Sequence, residues 1–492
     1  MSSNLESLVP FAPGLVLAGT LLAVLALGLI ERGGRVAELV GFAGTLIALG
    51  LVFAARGHAP ALLFQGMIAS DGVASFFQVL ILLATVLALP LALRSTEIPP
   101  GDRNELIVLL LASSFGAMLL VAATDLVMIY LAFELVSLLS YVLACFQRSH
   151  RASAEAGLKY VIYGGVASGL MIYGFSLLYG LAGSTGIAQI HDAVRAGGSG
   201  VAAAAVVACA LALVGFGYKI ASAPFHMWAP DVYEGAPTPV TAYFSVVPKV
   251  AGFGALVRFF YLGFADAGAA GWQPLTGVGW VPLLELMCVV TMTVGNLAAL
   301  SQRKVKRMLA YSGIAHAGYV LIGVVTLTPR GLEAAGVYLF VYAFMNLGAF
   351  AVVSAVVDRT GSDELESFRG LFWSGPQGAF VAIAAAVFLF ALVGAPPTAG
   401  FTGKLLLFGA AVEQQRYGIA VAGLLNTLLS VYFYFKVLQA MFLTAPESPS
   451  RVAWRRGPLL LIALLIVPTL GLGIRAEPLL AMARASLRLV GV

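Results

Sequence analysis

Residues 126–146 read LVMIYLAFELVSLLSYVLACF, an apolar stretch around a single charged residue, Glu134. As a helix it is long enough to cross the ~30 Å hydrocarbon core of a bilayer. A charged side chain at that depth costs roughly 2.5–3.5 kcal/mol on insertion scales. Lys219, Lys249 and Lys404 lie in three further apolar stretches, so the four charges together oppose insertion by on the order of 10 kcal/mol. A carboxylate and several lysines inside an apolar bundle indicate a proton or ion path.

The composition of the whole chain excludes a soluble globular protein. Of its 492 residues, 60% are hydrophobic and 10% are charged, and the mean hydropathy is +0.96; soluble domains have about 25% charged residues. We therefore predict an all-α polytopic membrane protein with about 14 transmembrane helices. The apolar stretches lie at about 11–30, 37–55, 72–94, 105–122, 124–146, 156–184, 200–228, 238–264, 279–300, 307–328, 333–357, 378–413, 416–443 and 456–474.

The short connections leave no room for a soluble domain that could hold a nucleotide or a redox cofactor. With the N-terminus outside, six loops are cytoplasmic and hold about 16 of the 28 Lys and Arg residues, as the positive-inside rule requires. These loops are 31–36, 94–104, 147–159, 301–307, 358–376 and 444–456. The basic residues of 301–307 then anchor flanking helices, and no nucleic-acid partner is predicted.

Prolines next to the lysines predict interrupted helices. Pro224 removes a hydrogen bond to the carbonyl of residue 220, beside Lys219, and Pro248 does the same directly before Lys249. In the segment 394–404, GAPPTAGFTGK, the breaking residues are Pro396, Pro397, Gly400 and Gly403. Backbone groups freed in hydrocarbon need a partner or water, so such breaks are typical of transporter sites near the midplane.

The two main breaks are separated by five crossings. An odd offset makes equivalent units opposite in topology, which predicts two inverted five-helix repeats, each with a Pro-broken helix. The predicted division of the chain is a three-helix N-terminal segment, 1–104, a first repeat, 105–264, a second repeat, 279–443, and a C-terminal helix and tail, 444–492.

Each charge also has a structural interpretation. Lys436 and Arg258 are predicted to snorkel to the interface. The same alternative is open for Lys219. For Glu134 the structural alternative is a Glu–Lys pair that only holds two helices together. Ser137 and Tyr141 share the helical face of Glu134 and are predicted to offer it hydrogen bonds.

The sparse cysteines and histidines predict no disulfide, iron–sulfur or metal site. His226 and His316 lie in membrane segments with other polar residues. For each, a packed imidazole and a proton relay are equally compatible with the sequence.

Several motifs resemble the antiporter-like membrane subunits of respiratory complex I. The match covers about 110–440. Residues 131–143, LAFELVSLLSYVL, and 155–160, EAGLKY, are similar to the fifth and sixth helices of these subunits. Residues 217–240 are most similar to the subunit N branch, the counterpart of mitochondrial NADH dehydrogenase subunit 2, and 296–302, 306–319 and 394–404 agree with it. A departure is Gly313, where the family often has a second serine.

The resemblance implies a role for each buried charge. Glu134 and Lys219 would form a pair in a first half-channel, Lys249 would be the central relay, and Lys404 would lie in a second half-channel. Lys159 matches a family lysine near the cytoplasmic side of the sixth helix. The mechanism would be electrostatic, because burial disfavours a charged lysine and a neighbouring carboxylate favours it, and quinone chemistry elsewhere in the complex would supply the driving force.

The resemblance also implies a translocase subunit of a proton-translocating NADH:quinone oxidoreductase in the bacterial inner membrane. NADH, FMN, iron–sulfur clusters and quinone would be used by other subunits. The partners would be the antiporter-like subunits M and L, the small membrane subunits, membrane lipids and, indirectly, the hydrophilic arm. Two alternatives remain open from the residues: a subunit of a multisubunit cation/proton antiporter, and a non-conducting membrane scaffold.

Overall fold

The computed structural model describes residues 4–30, 34–56, 59–268, 270–444 and 454–488. Parts of the predicted cytoplasmic loops 31–36 and 444–456 lie outside these residues. The helices are α1 Ala12–Ile30, α2 Arg35–Ala55, α3 Gly72–Arg94, α4 Arg103–Ala122, α5 Leu126–Ala144, α6 Arg151–Ala182, α7 Ile187–Ala196, α8 Ser199–Ile220, α9 Trp228–Gly235, α10 Thr238–Gly263, α11 Trp280–Leu300, α12 Val305–Val325, α13 Pro329–Thr360, α14 Pro376–Val393, α15 Ala399–Glu413, α16 Tyr417–Leu443, α17 Arg456–Ile474 and α18 Glu477–Ser486.

Fourteen helices in the described part of the chain are long and apolar enough to cross a membrane, which confirms the predicted fold class. The remaining four, α7, α9, α15 and α18, are shorter. The chain is not purely helical, because two small antiparallel hairpins occupy loops. In one, β1 Ala61–Leu63 pairs with β2 Ile68–Ser70, and in the other β3 Ala265–Gly268 pairs with β4 Gly271–Pro274.

Two sets of five spans have the same neighbours. In the set α4, α5, α6, α8 and α10, the first span packs on the second, the third on the fourth, and the fifth on both the first and the fourth. The set α11, α12, α13, α14 and α16 repeats these contacts. An offset of five crossings gives the two sets opposite orientations.

The interior of the molecule is formed by α10, α12 and α13, whose apolar stretches are almost entirely buried. The third helix, α3, packs against α10, α4 and α17 and is also largely buried. Lys249 on α10 and His316 on α12 therefore lie at the centre of the chain. The lipid-facing residues of α16, by contrast, are mostly exposed leucine, valine and aromatic side chains.

Two of the three predicted proline breaks are present. The chain leaves the helix between α8 and α9, around Pro224, and between α14 and α15, around Pro396 and Pro397. The break predicted at Pro248 is wrong, because α10 continues through it. Helices pack around α10 on all sides, and such packing compensates for one missing hydrogen bond in a transmembrane helix.

Gly400 and Gly403 also do not open a helix; both lie inside α15. Their role is close packing. A Cβ on Gly400 would lie 1.8 Å from the carbonyl oxygen of Ala391, and one on Gly403 would lie 2.7 Å from the Tyr338 ring. The two glycines therefore let α15 approach α14 and α13.

Candidate functional site: a line of buried lysines

Lys219 lies in the last turn of α8, where the break fixes its position. Pro224 prevents the helix from continuing, and Ala221 turns the chain with a φ of 57°. The carbonyl of Tyr218 accepts hydrogen bonds from the amide of Ala221 and from the indole of Trp228, both at 3.1 Å. The first residue of α9 thus adds a side-chain hydrogen bond to the last turn of α8.

The ammonium of Lys219 is buried against α5. Its Nζ donates to the Ser137 hydroxyl at 2.6 Å and to the Phe133 carbonyl at 3.3 Å. It also lies 4.0 Å from the centre of the Phe133 ring. Only 3% of the residue is exposed, so Lys219 does not snorkel to an interface.

Glu134 is half-buried and makes no direct ion pair with Lys219 within the described chain. Their pairing in one half-channel, which the resemblance implies, stays a prediction. The Oε1 of Glu134 is buried and has no hydrogen-bond partner within the described chain. Ser137 does not bond to it either, because the serine donates to the Phe133 carbonyl at 2.7 Å, as serines inside helices often do. The Ser137 hydroxyl and the Phe133 carbonyl thus join Lys219 to the helix of Glu134.

Tyr141 extends this polar region toward α6. Its ring packs edge-on against Tyr160 at 5.0 Å. A Cβ on Gly164 would lie 1.8 Å from the Tyr141 hydroxyl and 2.7 Å from the Tyr218 hydroxyl. The missing side chain of Gly164 therefore makes room for both hydroxyls beside the Lys219 turn.

Lys249 contacts the second set of helices. Its Nζ donates to the carbonyl of Gly313 on α12 at 2.6 Å and lies 5.6 Å from the centre of the Tyr342 ring. The residue is 3% exposed, and no carboxylate pairs with it in the described chain. Lys249 is thus a buried ammonium held by neutral oxygen and an aromatic face.

His316 follows Gly313 by one turn on α12. Its Nδ1 is 2.7 Å from the Tyr338 hydroxyl and its Nε2 is 3.3 Å from the Tyr434 hydroxyl. The Tyr434 hydroxyl also makes a very short hydrogen bond with Ser312. Tyr338 packs against Gly403, next to Lys404. These contacts place the imidazole between Lys249 and Lys404.

Lys404 follows the second break and binds back to it. Its Nζ donates to the carbonyl of Val393, the last residue of α14, at 2.9 Å and to the Thr427 hydroxyl at 3.3 Å. It lies 4.3 Å from the centre of the Tyr319 ring. Gly394 has a φ of 88°, and a Cβ there would lie 2.9 Å from Lys404 Cδ. A glycine is therefore required for both the turn and the lysine.

Further polar side chains continue from Lys404 between α11, α12 and α16. The Thr427 hydroxyl donates to that of Tyr319 at 3.3 Å. The Asn296 amide donates to the same tyrosine at 3.5 Å and to Asn426 at 3.2 Å, and Asn426 donates to Thr293 at 3.2 Å. Sequence reasoning missed these residues, although two asparagines in apolar helices were a usable signal.

His226 and Lys159 lie away from the buried lysines. His226 is half-buried in the turn before α9, and its Nδ1 has no partner within the described chain. Lys159 is 38% exposed and pairs with Asp231 at 2.6 Å and Glu155 at 2.8 Å. The structure thus places Lys159 in a surface ion network.

That network joins the two halves of the molecule. Arg307 on α12 pairs with Asp231 at 2.6 Å and with Glu234 at 2.8 Å, and Lys304 pairs with Glu234 at 2.8 Å. Partial burial works to raise the pKa of Asp231, but the hydrogen bonds from Lys159 and Arg307 outweigh it and lower the pKa. The pKa of Glu234 is lowered in the same way, by Lys304 and Arg307. Both carboxylates are therefore ionised at neutral pH.

The other two cations inside helices are structural. Lys436 donates to the carbonyls of Leu300 and Gln302 at the end of α11, at 3.1 and 3.4 Å. Arg258 was predicted to snorkel, which is wrong, because its guanidinium is fully buried. It makes two 2.8 Å hydrogen bonds to Asp71, the residue that caps α3.

Comparison with known proteins identifies the family. A family model for NADH:quinone oxidoreductase/Mrp antiporter transmembrane segments matches residues 123–430. NADH-quinone oxidoreductase subunit N from Anaeromyxobacter sp. (strain Fw109-5) is 42% identical to the chain, and the alignment covers 99% of this chain and 98% of the relative. The chain belongs to the NADH-quinone oxidoreductase subunit N family. The resemblance seen in the sequence is confirmed.

Solved structures share the fold. A chain of respiratory complex I from Thermus thermophilus with bound aureothin is 32% identical, has a TM-score of 0.79 and is matched over 96% of this chain and 100% of its own length. A chain of the Mrp complex from Dietzia sp. DQ12-45-1b has a TM-score of 0.84 at 22% identity, over 97% and 96% of the two chains. At that identity the Mrp match shows the fold alone.

Proposed function

We propose that this subunit N family member moves protons across the bacterial inner membrane through Glu134, Lys219, Lys249, His316 and Lys404. In this role it works as a membrane-arm subunit of a proton-translocating NADH:quinone oxidoreductase. The observation that carries the proposal is that three fully buried lysines are held by hydroxyl and carbonyl oxygens and not by carboxylates. An ammonium with neutral partners can lose its proton without leaving a buried negative charge behind.

The proposed mechanism couples electrostatics to these sites. Desolvation disfavours each ammonium, while a carboxylate nearby favours it. A change in the position or charge of Glu134 would therefore change how readily Lys219 holds its proton. Release from Lys249 would pass to His316, whose imidazole both accepts and donates protons, and then to Lys404.

The energy would come from quinone reduction by NADH elsewhere in the assembly, where FMN, iron–sulfur clusters and quinone are bound by other subunits. The antiporter-like subunits M and L and the small membrane subunits would be direct neighbours, with the hydrophilic arm acting at a distance. The 42% identity to a subunit N relative supports this assembly over a cation/proton antiporter, whose match at 22% identity concerns the fold. The helix breaks beside Lys219 and Lys404 argue against a mere scaffold.

Lys249→Arg tests the proposal. A guanidinium keeps the charge but does not deprotonate in proteins, so a relay at this position should fail. We expect an assembled complex that loses most proton translocation, measured in inverted membrane vesicles during NADH oxidation. The matched control is Lys436→Arg, which should retain translocation because Lys436 only caps α11. Full translocation in Lys249→Arg would show that the position needs only a positive charge.

A further inference from the structure

One ridge of α13 carries more buried polar groups than the proposed relay uses. Tyr342, Asn346 and Ser354 lie on an i, i+4 ridge and are each at most 1% exposed. The Tyr342 hydroxyl, both amide atoms of Asn346 and the Ser354 hydroxyl have no hydrogen-bond partner within the described chain. A buried polar group left unpaired costs about 1–3 kcal/mol. Buried groups of this kind are commonly satisfied by bound water.

The ridge approaches Lys249 beside Gly313, in a space that we call the Gly313 corner because residue 313 has no side chain to fill it. A Cβ at residue 313 would lie 3.0 Å from the Tyr342 hydroxyl and 3.1 Å from Lys249 Nζ. These two atoms are therefore no more than about 6 Å apart, a range that includes the roughly 4.5 Å that one bridging water spans with hydrogen bonds of about 2.8 Å on each side. Lys249 uses one of its three N–H donors on the Gly313 carbonyl and has others available.

The other end of the ridge leads to a pocket on the face that carries the ion network. The pocket has a volume of about 780 Å³, and Val357, Glu234 and Lys306 are among the residues that line it. Twelve residues of helix separate Tyr342 from Ser354, a rise of about 18 Å. Only Phe350, which packs edge-on against Tyr233 at 6.3 Å, interrupts the polar side chains of the ridge.

We infer that Lys249 has a second, water-filled connection, which starts at a bound water in the Gly313 corner and follows Tyr342, Asn346 and Ser354 to this pocket. The inference rests on the proposed function, because it gives the central lysine a route of its own for proton uptake. Phe350 and Tyr233 form an apolar point on that route. Gly313 is a positioning residue, since its missing side chain leaves the space for the water.

Gly313→Ala and Gly313→Ser form a matched pair of variants in the assembled complex. The alanine methyl would displace the water without replacing its hydrogen bonds, whereas the serine hydroxyl can take them over in nearly the same volume. We expect the rate of proton translocation during NADH oxidation to fall about fivefold in the alanine variant, the rate cost of one lost hydrogen bond. The serine variant should stay within about twofold of the native complex.

A cryo-EM map that resolves water supplies a readout independent of pumping. The native complex should show density within hydrogen-bond reach of both Lys249 Nζ and the Tyr342 hydroxyl, and beside the Asn346 amide. Tyr342→Phe should remove the first density, while the control Tyr261→Phe, whose hydroxyl bonds to the Val324 carbonyl, should keep it. Absence of the density, or equal translocation in the alanine and serine variants, would overturn the inference. Lys249→Arg separately tests the proposed function.

Discussion

Single residues in this subunit fall into two electrostatic classes. Lys219, Lys249 and Lys404 face neutral oxygens, whereas Arg258 is locked to Asp71 by two hydrogen bonds of 2.8 Å. Breaking a buried ion pair strands one charge at a cost of about 3–5 kcal/mol. An arginine in such a pair cannot take part in proton exchange. The type of partner therefore separates the cations that we propose to transfer protons from those that hold the fold.

Substitutions around Lys219 test whether Glu134, Ser137 and Lys219 act together in proton translocation. Glu134→Ala and Lys219→Ala should each reduce proton translocation, and the double variant should lose less than the sum, because both act on one site. Ser137→Ala should also reduce proton translocation, since the hydroxyl accepts the shorter of the two hydrogen bonds that Lys219 donates to α5. Translocation can be followed by acidification in inverted vesicles.

Glu105→Ala is the matched control for these variants. Glu105 is an exposed carboxylate that pairs loosely with Arg148 at 3.6 Å, and such surface pairs contribute little. Its loss should leave translocation unchanged. Strictly additive losses in the Glu134 and Lys219 double variant would rule out a shared site.

At the scale of elements, the two broken helices end in the same way. The amide of Ser222 donates to the Gly217 carbonyl and that of Ala395 to the Phe390 carbonyl, at 2.8 and 2.9 Å. Both are bonds from residue i to i−5, which close a helix in a Schellman motif. The lysine comes before the break in the first helix and after it in the second. Lys404 can therefore bind a carbonyl at the end of α14.

Closing the helix break at Pro396 and Pro397 should remove polar partners and water from the surroundings of Lys404. We expect the combined change Pro396→Ala and Pro397→Leu to favour a continuous helix and to remove the Val393 carbonyl from Lys404, because an intact helix uses that carbonyl internally. The complex should assemble with impaired translocation. A structure of the variant would show whether the helix has closed. Normal translocation with a closed helix would contradict the role of the break.

The sequence predicted the helix breaks better than it predicted the hydrogen-bond acceptors of the buried lysines. Pro224 and the Pro396–Pro397 pair interrupt helices as predicted, but Pro248 does not, because packing around α10 decides its effect and no local pattern reveals that packing. The buried lysines were recognisable as charges in apolar stretches. Their acceptors at Gly313 and Val393 were not, since every residue has a carbonyl and only tertiary structure selects one.

At the scale of the whole molecule, an ion network joins α6, α9 and α12. Lys159 and Asp231 are 72 residues apart in sequence, and Asp231 and Arg307 are 76 apart, so their pairing could not be read from spacing. The short helix α9 thus touches Lys219's helix through Trp228 at one end and the second set of spans through Asp231 and Glu234. It connects the first break mechanically to both halves.

The network predicts a pH-dependent stability. The pKa values of Asp231 and Glu234 are lowered in the folded chain, so their contribution is complete above the unfolded pKa of about 4 and is lost as the pH falls through the folded values. Asp231→Asn should lower the free energy of unfolding by on the order of 1 kcal/mol at pH 7. It should also make the loss of stability below about pH 4 smaller than in the native complex. Thermal unfolding of the purified complex at several pH values measures both. A variant with the native pH profile would contradict the prediction.

The hydrogen bond from Lys404 to the preceding Val393 carbonyl has a consequence for how the protein is made. Its ammonium partners come from Val393 and Tyr319, which leave the ribosome before it, and from Thr427, which leaves after it. During synthesis this charge therefore has an incomplete set of partners until α16 has been translated. The insertion machinery must keep α15, at 15 residues too short to cross alone, in a protected or hydrated place until then. Chain termination between α15 and α16 should leave a nascent segment that membrane quality control recognises and degrades.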